Sequence, residues 1–324
     1  MKRVVLPCLV VLASLVAAPQ ASAAACQYVK QDLPVPAGAG DVLLNGSSSN
    51  NSRIVGHLTV EGNHRAVYWA NGTLRHLAPA PNGEEGTVGL DVNNTGVVTG
   101  YLLDYRGQDP AVLRPFRYEN GAYEQLSVGE GTYGMGQAIN DAGDIAGKDD
   151  GGVYLWPRGG ARKLIAANGG DVIGLTNDGK IVVRASSSVK VYDANGGPTV
   201  DIPGGAAGSA VMDNDRVFLR ERDASGELVT SEYDLTGARI TSHPVQGKLF
   251  GRNGSGTVWG MHVQPGTTTQ NHALWRSTGR TDLVADPMPL TVGHNDITDA
   301  ATLIGTYRSG DGLVRPARWL WVCS

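Results

Sequence analysis

The chain has 324 residues, a formal net charge of −4 and 45 Gly against only 3 Phe. Its slight acidic excess argues against a general nucleic-acid-binding protein, which normally carries a strongly basic surface. Because glycines occur along the whole chain and no long helical pattern separates them, the composition favours many tight turns between short strands.

The first element in chain order is a signal-peptide pattern. Lys2 and Arg3 precede an apolar run over residues 4–18, and a small-residue cleavage site ends at Ala23. The pattern predicts a signal peptide over residues 1–23 and one mature domain over residues 24–324, secreted and extracellular. The apolar run is too short to cross a bilayer well, and no other stretch is apolar enough, so we expect no membrane insertion.

Two cysteines remain after such cleavage, Cys26 and Cys323. In an oxidising compartment an even pair predicts a disulfide bond. The alternative is lipidation of Cys26, but lipoprotein signals usually carry a Leu-like residue three positions before the cysteine, where this chain has Ala23. Lipidation would also leave Cys323 without a partner, so the disulfide is the favoured interpretation.

An internal repeat occupies the rest of the chain. Each copy is an Asn/Asp-rich turn followed by a short β-run, which ends in Gly in the regular copies. Asn and Asp side chains hydrogen-bond nearby backbone groups and Gly accepts a positive φ, so the pattern predicts a tight hairpin turn. The seven copies cover residues 50–56, 93–100, 140–147, 177–183, 213–219, 253–260 and 298–305, and the fourth and fifth lack the closing Gly.

A second element follows each turn: a short strand ending in an aromatic residue, then a polar turn and another short strand. The aromatic residues are Trp69, Tyr118, Trp156, Tyr192, Tyr233, Trp275 and Trp319. Each copy therefore reads as four antiparallel strands in roughly forty residues, which predicts an all-β fold, a seven-bladed β-propeller. A sandwich or an open solenoid also contains regularly spaced strands, but the regular repeat favours a closed ring.

The last repeat ends after its third strand, at residues 319–323. The mature N-terminus carries an additional segment over residues 26–34, in which residues 30–33 resemble residues 280–283, the fourth strand of the sixth copy. We therefore expect the N-terminal strand to complete the last blade and close the ring. Cys26 and Cys323 would then stand where the hairpin turn between the third and fourth strands is missing.

Residues 138–147, with the sequence Ala-Ile-Asn-Asp-Ala-Gly-Asp-Ile-Ala-Gly, are the best single copy of the repeat. Together with residues 272–275, His-Ala-Leu-Trp, they make the chain similar to the HAF-type repeat of bacterial extracellular proteins, with Leu274 in place of the Phe of the naming motif. The resemblance implies a propeller-like extracellular module. It implies no known activity, so no catalytic residues carry over.

Motifs for metal, cofactor or nucleophile chemistry are missing from the sequence. No cysteine pair has zinc spacing, and the 7 His are scattered. The acidic turns at residues 141–144 and 213–215 lack calcium-loop spacing, and the glycine-rich segment 204–208 lacks the Lys of a phosphate loop. No Gly-x-Ser-x-Gly motif occurs. We expect no metal and no cofactor.

One set of residues suggests a ligand site. The position after the second-strand Gly recurs once per blade, and several of its residues are basic, which predicts a partly cationic ring around the channel mouth for an anionic ligand. Asp104 and Asp149 in the same loops offset this charge, so plain solvated side chains are the alternative. The candidate ligand-binding residues are His57, Tyr101, Lys148, Arg184 and Arg220, with His262 nearby and Tyr105 and Tyr307 as stacking platforms.

The sequence favours a secreted, monomeric, non-enzymatic propeller that binds an extracellular glycan, a cell-wall component or a protein partner. The alternative is a propeller-type enzyme, a lyase or a glycoside hydrolase, with its site at the channel mouth. Such enzymes use carboxylates or a His, and the candidates are Asp91, Asp104, Asp149 and His57. Nothing in the sequence places any two of them within reach of each other.

Overall fold

The computed structural model describes residues 26–323, with gaps at 82–85, 105–111, 130–132, 168, 187, 204–209, 214, 223, 227, 244–248, 264–266, 268–269, 277–278, 284–288 and 291–292. The predicted signal peptide over residues 1–23 lies outside the described residues. Strands and turns account for the described segments, and none of their residues forms a helix that could span a membrane.

In the described part of the chain, twenty-eight strands form seven antiparallel sheets of four strands each, which are the blades. Blade 1 contains β2 (Val42–Ser47), β3 (Arg53–Val60), β4 (Asn63–Ala70) and β5 (Thr73–His76). Blade 2 contains β6 (Gly86–Val92), β7 (Val98–Asp104), β8 (Val112–Glu119) and β9 (Ala122–Gln125). Blade 3 contains β10 (Gly134–Ile139), β11 (Ile145–Asp149), β12 (Gly152–Trp156) and β13 (Lys163–Ala167). Blade 4 contains β14 (Asp171–Leu175), β15 (Ile181–Arg184), β16 (Ser188–Tyr192) and β17 (Pro198–Pro203).

The remaining strands form blades 5 to 7. Blade 5 contains β18 (Val211–Asp213), β19 (Arg216–Arg222), β20 (Leu228–Asp234) and β21 (Arg239–His243). Blade 6 contains β22 (Leu249–Arg252), β23 (Val258–Val263), β24 (Gln270–Arg276) and β25 (Gly279–Asp282). Blade 7 contains β26 (Asp296–Ile297), β27 (Leu303–Arg308), β28 (Val314–Cys323) and β1 (Cys26–Asp32). The innermost strands of neighbouring blades contact each other around a ring, so the predicted seven-bladed β-propeller is confirmed.

The Asn-rich turns form as the sequence predicts. In blade 2 the Asn93 Oδ1 atom accepts hydrogen bonds from the backbone N–H groups of Thr95 and Val97, at 3.1 and 2.9 Å. Gly96 has a φ of 92°, in the left-handed region that Gly adopts at little cost. This Asx turn joins the innermost strand to the second strand of the blade.

In blades 1 to 3, the Gly that closes the repeat permits a close approach of the innermost strand and the second strand. A Cβ atom on Gly56, Gly100 or Gly147 would lie only 2.1, 1.9 or 2.0 Å from a carbonyl oxygen of the neighbouring strand. In each of these blades the innermost strand has a β-bulge next to this contact. A bulge re-aims the side chains that follow it, which here belong to the wall of the central channel.

The apolar core lies between neighbouring blades. Trp69 is fully buried among Val42, Leu44 and Ile304, so one cluster joins blade 1 to blade 7. The Trp69 indole N–H donates to the Pro34 carbonyl at 2.8 Å, which satisfies its buried polar group. Burial of each large apolar side chain contributes roughly 1.5–3 kcal/mol, so each blade interface stabilises the ring.

Blade 7 is assembled from both chain ends, as the sequence predicts. Strand β1 pairs along its whole length with β28, with Cys26 opposite Cys323 and Asp32 opposite Ala317. The two cysteines therefore face each other in the backbone register, where the other blades have a hairpin turn. The disulfide bond itself stays a prediction.

Candidate functional site

A cavity of about 450 Å³ occupies one end of the central channel. We call this end the turn face, because the Asn-rich turns between first and second strands surround it. The opposite end, with the loops between second and third strands and the connections between blades, is the loop face. All seven innermost segments contribute to the cavity wall. Its volume falls within the range of small-molecule sites, roughly 300–1,000 Å³.

One side of the cavity, which we call the polar arc, comes from blades 7, 1, 2 and 3. Its residues are Asn45, Ser47, Asp91, Gln137, His294 and Asp296. The Ser47 hydroxyl donates to the Asp296 Oδ2 atom at 2.6 Å and lies 3.0 Å from the His294 Nε2 atom. The Gln137 Oε1 atom accepts from the Val172 N–H at 3.1 Å. The polar arc thus has defined side-chain positions before any ligand arrives.

The other side of the cavity, the apolar arc, comes from blades 4, 5 and 6. The arc consists of the apolar residues Ile173, Val211, Met212 and Phe250, and blades 4 and 5 add the polar residues Thr176, Asn177, Asp213 and Asp215 to the same side. The Phe250 ring lies against the buried Trp259 ring, with 4.9 Å between centroids, so the outer packing fixes it. An arrangement with one polar and one apolar side is suited to a ligand that has two chemically different faces.

Asp91 is the carboxyl group whose environment is most unusual. Its oxygens accept hydrogen bonds from the Val92 N–H at 2.8 Å and from the Ile139 N–H of the next blade at 2.9 Å. Burial raises the pKa of Asp91 from its ordinary value to about 7, although these two hydrogen bonds and His294 favour the charged form. Asp91 is therefore partly protonated at neutral pH.

Negative charge dominates the described wall of the cavity. It contains the carboxyl groups Asp91, Asp141, Asp213, Asp215 and Asp296, one His and neither Lys nor Arg. The nearest arginine in the innermost strands, Arg252, places its Nε atom 3.3 Å from the Glu232 carboxylate, within the blade layer. The channel therefore favours a cationic or a neutral polar ligand over an anionic one.

The turns at the rim also connect neighbouring blades to each other. The Asn94 backbone N–H donates to the Asp141 Oδ1 atom at 2.9 Å, and the Asp141 N–H donates to the Asn177 Oδ1 atom at 2.8 Å. The same contact joins Gly254 to Asp299 at 2.6 Å. The repeat therefore encodes both a turn and a bond to the next blade, and sequence reasoning identified only the turn.

The predicted cationic residues have partners within the blade layer. Lys148 and Arg184 contact the same carboxylate, Asp171, at 2.6 and 2.8 Å. Lys148 lies in β11 opposite Met135, and Arg184 ends β15 opposite Asp171, both partners being in the innermost strands of their own blades. The two cations are therefore close to each other because both form an ion pair with the Asp171 carboxylate.

The other predicted ligand residues lie at separate places. His57 contacts Asn45 at 2.9 Å, and burial, with His64 nearby, lowers its pKa to about 4. His262 is buried and lies 3.2 Å from Asp282. Tyr307 lies beneath the Lys30 ammonium group, 3.9 Å from the ring centroid. Tyr101 and Arg220 are half-buried in second strands, and Tyr105 lies outside the described residues.

The carboxylates proposed for an enzyme site are also separated. Asp91 lies in the channel wall, whereas Asp149 is buried near the loop face and pairs with Arg162 at 2.5 Å. Asp104 ends strand β7 at the loop face. Among the described residues no group of three or more His, Cys, Asp or Glu side chains is arranged to hold a metal ion.

A second cavity, of about 610 Å³, opens on the loop face between blades 1 and 2. His64, Arg65 and His76 contribute its basic groups, and Leu77 and Thr87 lie beside them. Its described lining contains no carboxylate. An anionic ligand of the kind that the sequence predicts would therefore find a better match here than in the channel.

Comparison with known proteins supports the fold and goes no further. The chain is similar to an oligogalacturonate lyase from Vibrio parahaemolyticus, with 9% identity, a TM-score of 0.59, and coverage of 92% of this chain and 98% of the lyase. It is also similar to a puromycin-hydrolyzing peptidase from Mycobacterium tuberculosis, with 12% identity and a TM-score of 0.58 over 90% of this chain. It spans 54% of the peptidase. The fold is a β-propeller.

Neither a family model nor a curated protein sequence matches the chain. The similarity to the HAF-type repeat therefore stays a resemblance in the turn and strand motifs. At 9% and 12% identity, the two solved structures share the fold with this chain, and their activities say nothing about its site.

Proposed function

We propose that this protein is a secreted, non-enzymatic binding module whose ligand enters the channel cavity from the turn face. The observation that carries the proposal is the shape and chemistry of that cavity, about 450 Å³ with a polar arc facing an apolar arc. Preformed concave sites of this kind, with few placed polar groups, are typical of small-ligand binding. A glycan or a glycan-bearing cell-wall component fits these properties best.

The arrangement of the polar arc favours binding over catalysis. A serine nucleophile needs its hydroxyl proton directed to a histidine that a third group orients. Here the Ser47 hydroxyl donates to Asp296. The Asp296 carboxylate lies 3.7 Å from His294 Nε2, which is the nitrogen that also faces Ser47. Asp91 uses both oxygens to accept backbone N–H groups. These groups hold the channel wall in place and are available to bind.

The alternative is a propeller-type enzyme, a lyase or a glycoside hydrolase, with its site in the channel. The raised pKa of Asp91 favours this alternative, because a carboxyl group that titrates near neutral pH can act as a general acid. The fold similarity to a lyase supports it only weakly at 9% identity. Formation of a new product from a bound ligand, detected by mass spectrometry, would establish the enzyme.

The binding proposal is tested with the mature chain, residues 24–324, on a glycan array. In the variant Ile173→Trp a large ring fills the apolar arc, and we expect it to lose the ligands that the natural protein binds. The matched control is Ile240→Trp on the outer strand β21, where Ile240 is 48% exposed, and we expect it to keep them. Full binding by a folded Ile173→Trp variant would rule out the channel as the site.

The second part of the proposal concerns how the propeller ring is closed and where the protein is located. We propose that Cys26 and Cys323 form a disulfide bond in the secreted, extracellular, monomeric protein, since the strand register places them opposite each other. On the chain-entropy model, closing so long a loop contributes about 5–6 kcal/mol. Mass spectrometry of the secreted protein should find one bridge, and reduction should lower its Tm. Two free thiols, or a lipid on Cys26, would contradict the proposal.

A further inference from the structure

We infer that the channel ligand is a sugar that carries a protonated amine, an amino sugar. This inference deepens the proposed function and rests on it, because it assigns a ligand class to the same cavity. It follows from three properties of the wall: its charge, its free hydrogen-bonding capacity and the apolar arc. Each property excludes a different group of competing ligands.

The charge of the wall excludes acidic sugars. A carboxylate ligand in the channel would face five Asp side chains, with no Lys or Arg in the described lining to offset them. Arg252 lies behind the wall with its guanidinium next to Glu232. An ammonium group in the same place is attracted by the carboxylates of the wall, to which Asp91 adds its charge only when it ionises, near pH 7.

The hydrogen-bonding capacity of the wall favours an amine donor. An ionised carboxylate offers about four lone-pair positions. Asp296 accepts from the Ile297 N–H at 2.7 Å and from the Ser47 hydroxyl at 2.6 Å, which leaves capacity for a further donor. Asp91 also accepts two backbone N–H groups, and it gains full further capacity only when it ionises, near pH 7. An ammonium group with three N–H donors would therefore find acceptors that are already held in place.

The apolar arc distinguishes a sugar from a small inorganic cation or a simple amine. The side chains of Ile173, Val211, Met212 and Phe250 offer no hydrogen bond, and they lie across the channel from the Asp91 and Gln137 side chains. Asp213 and Asp215 belong to the same blade as Val211 and Met212, so carboxyl groups border the apolar residues as well. A pyranose ring has hydroxyl groups at its edge and C–H groups on its face. The ring can present its amine and hydroxyls to the polar arc while its C–H face packs on the apolar arc.

The experiment compares three disaccharides of the same size by calorimetry at pH 6 and low salt. These are β-1,4-linked glucosamine, its N-acetylated form and a digalacturonate. We expect the amine form to bind about tenfold or more tightly than the N-acetylated form, and digalacturonate not to bind. Equal or tighter binding of either competitor would overturn the inference, and so would failure of the amine form to bind at millimolar concentration.

Channel variants show whether the amine binds at this wall. Gln137→Glu keeps an oxygen acceptor for the Val172 N–H and adds a carboxylate, so it should tighten binding of the amine form several-fold. Asp296→Asn should weaken it about tenfold. Asp201→Asn removes a charge from an exposed pair with Lys190 on the outer strand β17 and should change nothing. An unchanged affinity in Gln137→Glu would overturn the inference even if Asp296→Asn fails to fold.

The two proposals fail in different ways. If the glycan array finds ligands that Ile173→Trp abolishes, but they are neutral or acidic, the binding function stands and the ligand class is wrong. If Ile173→Trp leaves all binding intact, the channel is not the site and the proposed function itself fails.

Discussion

Blades 2 and 4 share one topology but differ where the innermost strand pairs with the second strand of the same blade. In blade 2, Gly89 lies opposite Gly100 just before the β-bulge, and in blade 4 the equivalent pair is Val172 and Val183. A Cβ on Gly100 would lie 1.9 Å from the Val88 carbonyl oxygen, whereas Val183 has a full side chain buried in the core. The closing Gly of the repeat is therefore needed where two strands approach each other closely, and the propeller topology itself does not require it.

The same two blades give the channel different walls. One position past the bulge, blade 2 has Asp91, which lies opposite Thr99, and blade 4 has Gly174, which lies opposite Val182. The space that a side chain on Gly174 would occupy is filled by Met212 of the apolar arc. Blade 4 thus contributes no titratable group to the described channel wall, whereas blade 5, which also lacks the closing Gly, contributes Asp213 and Asp215.

The largest predicted effect concerns the close approach in blade 2. Gly100→Ala should lower the free energy of unfolding by about 3 kcal/mol, because the new Cβ collides with backbone that cannot move cheaply. The control is Gly310→Ala, where the added Cβ meets no atom within 4 Å, and its effect should be near zero. Chemical denaturation measures both, and a Gly100→Ala protein as stable as the control would refute the close-approach explanation.

The next effect is the pH dependence that Asp91 of blade 2 contributes. Since its folded pKa of about 7 is raised above the ordinary value, the Asp91 carboxyl favours folding at low pH and opposes it as pH rises toward and past 7. In the natural protein, ionisation of Asp91 should lower the free energy of unfolding by about 2–3 kcal/mol between pH 5 and pH 8. The Asp91→Asn variant should lack this decrease. The measurement is denaturation of both proteins across that range, and parallel pH profiles would contradict the prediction.

A smaller effect is expected where blade 4 replaces Gly with Val. Val183→Ala removes buried methyl groups and leaves a cavity, so stability should fall by about 2 kcal/mol. The substitution relieves no steric collision, because the strands of blade 4 already accommodate the Val183 side chain. Denaturation should show a loss; a gain in stability would mean that the Val strains this blade and that Gly suits both blades equally.

The smallest effect tests what blades 2 to 4 share. Asp141→Ala removes acceptors for the Asn94 N–H and the Asn177 amide, which bridge three consecutive blades, and should lower stability by about 1 kcal/mol. Asp193→Ala removes an acceptor for the Asn195 N–H within one blade and should have less effect. Equal losses by thermal denaturation would mean that the bond between blades adds nothing to the turn itself.

The fold could be predicted from the sequence because the repeat carries its own turn chemistry. Asn93 and Gly96 fix the hairpin locally, whatever the neighbouring blades contain. The closure could be predicted because the strand over residues 26–32 had no other partner in the repeat pattern. Both inferences depend on local rules and on counting strands.

The channel site could not be predicted in the same way. Its wall residues precede the turns and vary from blade to blade, as with Asn45, Gln137 and Ile173, so they form no motif. Lys148 and Arg184 were predicted as ligand residues because they recur at one repeat position, but in the structure both form ion pairs with Asp171. A usable signal was present: Asp91 and Asp296 stand at the same position, two residues before the first residue of their turns.

The most direct test of the central claim is methyl NMR of the mature protein during titration with the glucosamine disaccharide. The account predicts that the methyl signals of Ile173, Val211 and Met212 in the channel shift, while that of Leu77 in the loop-face cavity does not. Shifts confined to Leu77 and its neighbours, with the channel methyl groups unchanged, would contradict it.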